Sequence, residues 1–381
     1  MMSHAEVKPS ASVARPGSAQ KAAGLVLPSI EGLLPYEGGK PIEELTRELG
    51  LVDVVKLASN ENPLGPSPRA VEAARALLDR VHLYPDGSAY RLREKIAALH
   101  GISMAEVIQG NGSNELLDLF VRTFATPEHH IVFAEPSFVV YRIAALAGGV
   151  PFTAVPLRAH THDLSAMARA VTERTRLVFV ANPNNPTGTH VGLGEVEAFL
   201  RDLPKEVIVV MDEAYIEYAD ALDFPDSMRL RHLRERLFVV RTFSKIYGLA
   251  GMRVGYAVGP AQLVDYVNRV RAPFNVTALA QAAAIAALDD QEHLEKSRSL
   301  NQVERAKLSE SLSALGLKVA PSQANFVLVD LGREARPVYE QLLRKGVIVR
   351  PFASLPTSLR VTIGTGVENQ RFLGALREVL G

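Results

Sequence analysis

The sequence predicts an α/β fold, a mainly parallel sheet flanked by helices, followed by a smaller α+β unit. Three features carry that prediction. Short apolar runs at Ile131–Ala134, Phe152–Val155, Leu177–Ala181, Val207–Met211, Leu237–Val240 and Val254–Val258 are mostly separated by helical stretches, the pattern of parallel strands joined by crossover helices. The runs are continuous rather than alternating, as in strands buried on both faces. Past Asn275 the reading changes to a long alanine-rich helical region, then strands at Asn325–Val329, Val347–Arg350 and Leu359–Ile363 and a final helix from about Glu368.

Taken in order, residues 1–28 are rich in Ala, Ser, Pro and Lys, without an apolar stretch long enough for a signal peptide or membrane span. They read as a disordered lead-in to a cytoplasmic protein. From Leu33 a Pro/Gly-rich arm containing Tyr36 enters a short helix. Within Val54–Pro68 a short strand leads to a loop with prolines at 63, 66 and 68, stiff enough to border a site. Tyr84-Pro-Asp-Gly then leads into a helix. The expected division is an arm and part of the small domain over 29–60, a large domain over 61–275 and a small C-terminal domain over 276–381.

A chain of 381 residues, 47% hydrophobic and 22% charged, buries a large core. Basic and acidic side chains balance at 42 each, so no overall field favours nucleic acid, and small-molecule partners are expected. Cysteine is absent, which removes disulfides, thiolate metal sites and cysteine nucleophiles together. His129-His130 lacks a third ligand at metal spacing and reads as a solvated loop.

Successive strand ends deliver polar residues to one edge, and ligands of open α/β sheets bind at that edge. After Val107-Ile108, Gly110-Asn-Gly-Ser-Asn-Glu115 opens a helix whose Leu116, Leu119, Phe120 and Phe124 recur at helical spacing. A helix start of this kind suits a phosphate. The third glycine of a dinucleotide fingerprint is replaced by Glu115, so that ligand is rejected. Ala134-Glu-Pro-Ser-Phe138 presents a ring, Asn182-Pro-Asn-Asn-Pro-Thr-Gly188 presents Asn185, and Asp212-Glu-Ala-Tyr215 follows the next strand. An Asp after a buried strand also serves as a helix cap. Finally, Lys245 stands just past the Leu237–Val240 run, with Arg253 eight residues on. A lysine partly out of water and near a cation is biased toward the neutral amine, which attacks carbonyls.

The segment Thr242-Phe-Ser-Lys-Ile-Tyr-Gly-Leu-Ala-Gly-Met-Arg-Val-Gly-Tyr256 resembles the cofactor-lysine segment of fold-type I pyridoxal-phosphate enzymes, and within them of class I/II aminotransferases. The resemblance runs from about Leu33 to the end. It is closest to histidinol-phosphate aminotransferases, in Leu-Pro-Tyr, Ser-Asn-Glu-Asn-Pro-Leu-Gly, Tyr-Pro-Asp-Gly, Gly-Asn-Gly-Ser-Asn-Glu, Asn-Pro-Asn-Asn-Pro-Thr-Gly and Leu-Arg-Val-Thr-Ile-Gly-Thr.

That resemblance implies roles. Lys245 would carry pyridoxal 5'-phosphate as a Schiff base and then move the substrate's α-proton. Asp212 would pair with the pyridine nitrogen, Asn185 and Tyr215 with the ring hydroxylate, and Phe138 would stack on the ring. Ser113, Asn114, Thr242, Ser244 and Arg253 would hold the cofactor phosphate. Tyr84 would reach the phosphate of a partner subunit, which implies a homodimer with shared sites. Tyr36, Arg350 and Arg360 would receive the substrate's phosphate, and a guanidinium fork accepts phosphate or carboxylate alike, so an amino donor and a 2-oxo acid can share one pocket. Aromatic amino-acid aminotransferases and a threonine-phosphate decarboxylase share much of this framework, so the substrate stays open at this point. A ligand-sensing protein on the same fold would be expected to carry a DNA-binding domain, for which residues 1–28 are too short.

Overall fold

The computed structural model describes residues 25–33, 35, 38–51 and 53–381. Most of the 1–28 segment and Tyr36 therefore lie outside the described residues. Among the described residues the largest sheet has seven strands, in the spatial order Val107–Gly110, Gly255–Val258, Leu237–Thr242, Ile208–Asp212, Thr175–Ala181, His130–Glu135 and Phe152–Pro156. Only Gly255–Val258 runs against its neighbours. The other pairings are parallel, as a mainly parallel α/β sheet requires.

The continuous apolar runs form the central strands because each face meets its own layer. Leu177, Phe179, Ile208, Val210, Phe238 and Val240 join the helix Gly112–Phe124 in one apolar cluster. Val178, Val180, Val209, Met211 and Val239, one residue out of step, join the helices Leu164–Arg169 and Leu193–Asp202 in another. Side chains of a strand alternate faces, and with both faces covered every position is apolar. The same alternation continues to the strand ends, where it sorts polar residues.

The second body has a four-stranded antiparallel sheet, ordered Arg350–Phe352, Leu355–Thr362, Phe326–Asp330, Lys318–Val319. The Val55–Lys56 strand pairs in parallel with Val347–Ile348. Helices Gln291–Ala314, Ala335–Arg344 and Gly366–Leu380 cover these strands through one apolar cluster. The expected Val347–Arg350 strand is thus two short strands, and Arg350 opens the second of them. The alanines of Ala278–Asp289 pack with the helices Pro68–Arg75 and Tyr90–His100 and with Val107, Tyr256 and Val258 of the large sheet.

Of the His129-His130 pair, His129 lies in the loop as expected, but His130 does not. His130 begins a strand, and its two ring nitrogens meet Thr175 Oγ1 at 3.0 Å and Thr153 Oγ1 at 2.9 Å on the two flanking strands. No described helix is long and apolar enough to cross a membrane.

Candidate active site

A cavity of about 350 Å³ opens at the carboxyl ends of the parallel strands, where the two bodies meet. Its lining includes Ser113, Asn114, Phe138, Asn185, Asp212, Tyr215, Thr242, Ser244, Lys245, Arg253, Arg350 and Arg360, so of the residues singled out in the sequence twelve converge here. Tyr84 is outside it, largely exposed and stacked on Phe274 at 4.7 Å. Tyr36 lies outside the described residues.

Strand parity aims the acid. Asp212 follows Ile208 and Val210 and continues their face, while Glu213 takes the opposite one and pairs with Arg241 at 2.8 Å. In the neighbouring strand Thr242 faces the cavity and Arg241 faces away with Glu213. Asp212 Oδ2 accepts a 2.7 Å hydrogen bond from the Tyr141 hydroxyl. Oδ1 is buried without a hydrogen-bond partner. Burial pushes the carboxyl up to about 6, against the pull of Tyr141, the Ala214 backbone N–H and Lys245. A carboxylate so placed lacks a cationic or donor group at Oδ1.

The opposite adjustment occurs at Lys245. Burial brings its amine down to about 7, and the nearby Arg360 and Arg253 guanidiniums add to that. Its Nζ donates to the Ser59 carbonyl at 3.3 Å. Near neutral pH half of such a lysine is an uncharged nucleophile. The turn that carries it is held tightly: the Asn62 side chain donates to Ile246 O at 2.7 Å. A Cβ on Gly248, whose φ is +67°, would stand 2.2 Å from Gly65 O.

At one end of the cavity the Gly112–Phe124 helix begins, with its first N–H groups and the positive end of its dipole directed inward. Thr242 Oγ1 meets Ser244 Oγ at 3.0 Å, and Arg253 Nη1 donates to the same Ser244 oxygen at 3.3 Å. Gly112 (φ +71°) admits the arginine, since a Cβ there would stand 2.4 Å from Arg253 Nη2. Hydroxyls, a helix start and a fixed guanidinium form a cup for a dianionic phosphate.

At the other end, Arg360 donates from Nη1 to Asn185 Oδ1 and from Nη2 to Ala58 O, both at 2.6 Å. The Phe326 and Phe352 rings stand 5.2 and 5.3 Å from its guanidinium carbon. Arg350 lies against Phe352 and donates to Gly38 O.

These features fit pyridoxal 5'-phosphate on internal grounds. The phosphate cup, the unpartnered Asp212 Oδ1 and the neutral-leaning lysine are the three groups such a cofactor needs, for its phosphate, its ring nitrogen and its aldehyde. When bound, the cofactor supplies an electron sink for a carbanion next to nitrogen. Fold and site together define a fold-type I pyridoxal-phosphate enzyme.

Comparison with known proteins narrows the class. Residues 52–376 match the family "Aminotransferase class I and II", and the chain belongs to that family. It is 52% identical to histidinol-phosphate aminotransferase 2 of Pseudomonas aeruginosa over 93% of this chain and 98% of that protein. It is 51% identical to histidinol-phosphate aminotransferase of Moorella thermoacetica over 92% of each. Among solved structures, histidinol-phosphate aminotransferase of Sinorhizobium meliloti in complex with pyridoxal-5'-phosphate superposes with a TM-score of 0.87 at 29% identity, covering 94% of this chain and 98% of that one. A single mutant of Thermus thermophilus aspartate aminotransferase gives 0.81 at 25% identity, over 93% and 99%.

Sequence reasoning missed two groups. Tyr141 is fully buried, stacked on Phe179 at 4.9 Å, and is the hydrogen-bond donor to Asp212. Its position three residues after Phe138, on the first turn of a helix, was the available signal. The run Ala58-Ser59-Asn60 carries the other group. Two of its contacts to the site come from backbone carbonyls, which leave no mark in a sequence.

Proposed function

We propose that this chain transfers the amino group of L-histidinol phosphate to 2-oxoglutarate, giving imidazole-acetol phosphate and L-glutamate, a step of histidine biosynthesis. The observation that carries the reading is the presence of two guanidiniums in the same cavity as Lys245 and Asp212, Arg350 held by Gly38 O and Arg360 by Asn185 Oδ1 and Ala58 O. A dianionic substrate tail needs such a pair, and the 2-oxo acid's carboxylate uses the same forks. Identity above 50% to proteins named for histidinol phosphate supports the same substrate.

In this reading Lys245 would take the α-proton of the bound amine and return it to the carbon on the far side of the amine nitrogen. Its amine, at about 7, is matched to that exchange near neutral pH. Asp212 keeps the ring nitrogen protonated, Tyr215 and Asn185 hold the ring oxygen, and Phe138 covers the ring. Ser113, Asn114, Thr242, Ser244 and Arg253 hold the cofactor phosphate, and Arg350, Arg360 and Tyr36 the substrate's phosphate.

The proposal includes a cytoplasmic homodimer. Leu78, Val81, Leu83, Tyr84 and Phe274 are all substantially exposed on one chain, and Tyr84 stacks on Phe274, which supports a second copy covering them, with Tyr84 reaching the partner's cofactor phosphate. It also divides the chain near Asp290 rather than at 275, since Ala278–Asp289 shares its apolar cluster with the large sheet.

The test is single-turnover absorbance of the cofactor-loaded enzyme mixed separately with histidinol phosphate, phenylalanine and threonine phosphate. Conversion to the amino form of the cofactor about tenfold faster with histidinol phosphate, ~1.4 kcal/mol, is expected. A preference for phenylalanine would reassign the enzyme to aromatic transamination, and carbon dioxide release from threonine phosphate would replace transamination itself.

A further inference from the structure

Asn60 is a residue of the cavity wall whose side chain links the small sheet to Tyr215, and no role has yet fallen to it. It is buried, with a left-handed backbone at φ 58°, a conformation that asparagine and glycine tolerate best. Its backbone N–H donates to Thr362 Oγ1 at 3.0 Å, and Thr362 Oγ1 in turn donates to Asn60 Oδ1 at 3.1 Å. That exchange fixes the amide: the oxygen is turned to Thr362, so Nδ2 is turned to the Tyr215 oxygen, 2.9 Å away.

A second amide converges on the same oxygen. Asn185 Nδ2 donates to Tyr215 at 3.3 Å, and its orientation is also forced, because its Oδ1 faces Arg360, which can only donate. The phenol oxygen therefore receives two N–H donors. An oxygen that receives two N–H donors is set to act through its own O–H as a donor rather than as an acceptor. Electron density drawn off the oxygen by two donors also strengthens the O–H as a donor.

We propose that Asn60 is a positioning residue that commits the Tyr215 hydroxyl to donate toward the anionic ring oxygen of the cofactor. The inference rests on the pyridoxal-phosphate reading of the cavity and deepens it. Asn60 acts through Tyr215, by closing off the alternative in which that hydroxyl accepts. A hydrogen bond donated to the ring oxygen stabilises its negative charge most when the neighbouring nitrogen, the one that joins Lys245 to the cofactor, carries no proton. It therefore lowers that nitrogen's proton affinity. Loss of Asn60 raises it, and a merely structural asparagine would leave it unmoved.

The test is a pH titration of the visible absorbance of the cofactor-loaded protein, for wild type, Asn60→Gly, Tyr215→Phe and the double variant. Glycine keeps both the left-handed backbone and the N–H to Thr362. The midpoint of Asn60→Gly is expected about one pH unit above wild type, roughly a tenfold change in the equilibrium. Tyr215→Phe should move it at least as far, and the double variant no further than Tyr215→Phe alone, because the two act through one hydroxyl. Asn60→Asp, the same shape without a donor, gives a second measurement should the glycine variant fold poorly. Its carboxylate accepts the phenol proton, and the midpoint again rises. An unmoved midpoint in either variant, or shifts that add in full, overturns the proposal while leaving the cofactor reading intact. A wild-type protein that takes up no visible band sinks that reading, and this proposal with it.

Discussion

Replacing Asp212 by asparagine should make the cofactor-free protein more stable and the loaded enzyme nearly inactive. The carboxyl is buried, bonded through Oδ2 to Tyr141 and through Oδ1 to nothing. Burial raises it from the ordinary 3.8 to about 6. Keeping it ionised in the empty site therefore costs ~3 kcal/mol at pH 8, at ~1.4 kcal/mol for each tenfold change in proton affinity. The sign follows from linkage. A carboxyl raised in the folded state favours folding below its unfolded value and loses that contribution as pH rises through about 6. An amide at 212 still accepts from Tyr141 and carries no charge. After allowing for its own N–H₂ group, the cofactor-free variant should gain about 1–3 kcal/mol over wild type at pH 8. The gain should shrink below about 1 kcal/mol near pH 4. Urea unfolding of both cofactor-free proteins at the two pH values measures it. The loaded variant should keep its cofactor and lose about two decades or more of single-turnover rate, the ~3–5 kcal/mol of a broken buried ion pair. A variant no more stable than wild type at pH 8, or equally favoured at both pH values, would refute the electrostatic argument. A helix-capping aspartate would behave in the opposite way, since its loss destabilises at neutral pH.

Further experiments probe the frame around that carboxylate. Cofactor attachment to the cofactor-free protein should accelerate from pH 6 to 8, following loss of a proton near 7 from Lys245 rather than from an ordinary lysine at 10.5; stopped-flow absorbance reads the midpoint, and Lys245→Ala should give no lysine-linked band at all. Gly248→Ala should cost ~2 kcal/mol or more in urea unfolding, combining the left-handed penalty with a Cβ placed 2.2 Å from Gly65 O. Breaking the buried Glu213–Arg241 pair from either side should cost about 3–5 kcal/mol, whereas replacing both partners by Leu and Met should cost much less than the sum; an additive double variant would count against a direct pair.

What the sequence made legible follows from how each feature is encoded. Strands buried on both faces leave uninterrupted apolar runs, so the expected Leu177–Ala181 and Val207–Met211 lie within two residues of Thr175–Ala181 and Ile208–Asp212. Side chains at the strand ends were equally readable, and Lys245, Asp212, Asn185 and Phe138 share one cavity. The carbonyls of Ala58 and Ser59 bind Arg360 and Lys245, yet any residue offers a carbonyl and the sequence says nothing of its use. Tyr84 illustrates another limit: the role proposed for it needs a second chain, and on a single chain it is only an exposed ring on Phe274.

One signal was present and could be taken further. The alternation that sends Val210 to one apolar layer and Met211 to the other does not stop where the apolar residues end. It carries Asp212 into the cavity and Glu213 behind it, and in the next strand Thr242 into the cavity and Arg241 behind it. An acid and a base hidden one step out of phase with two site residues on adjacent parallel strands should therefore meet across the sheet. The Glu213–Arg241 pair was deducible from parity alone, and it ties together the two strand ends that carry Asp212 and the lysine turn.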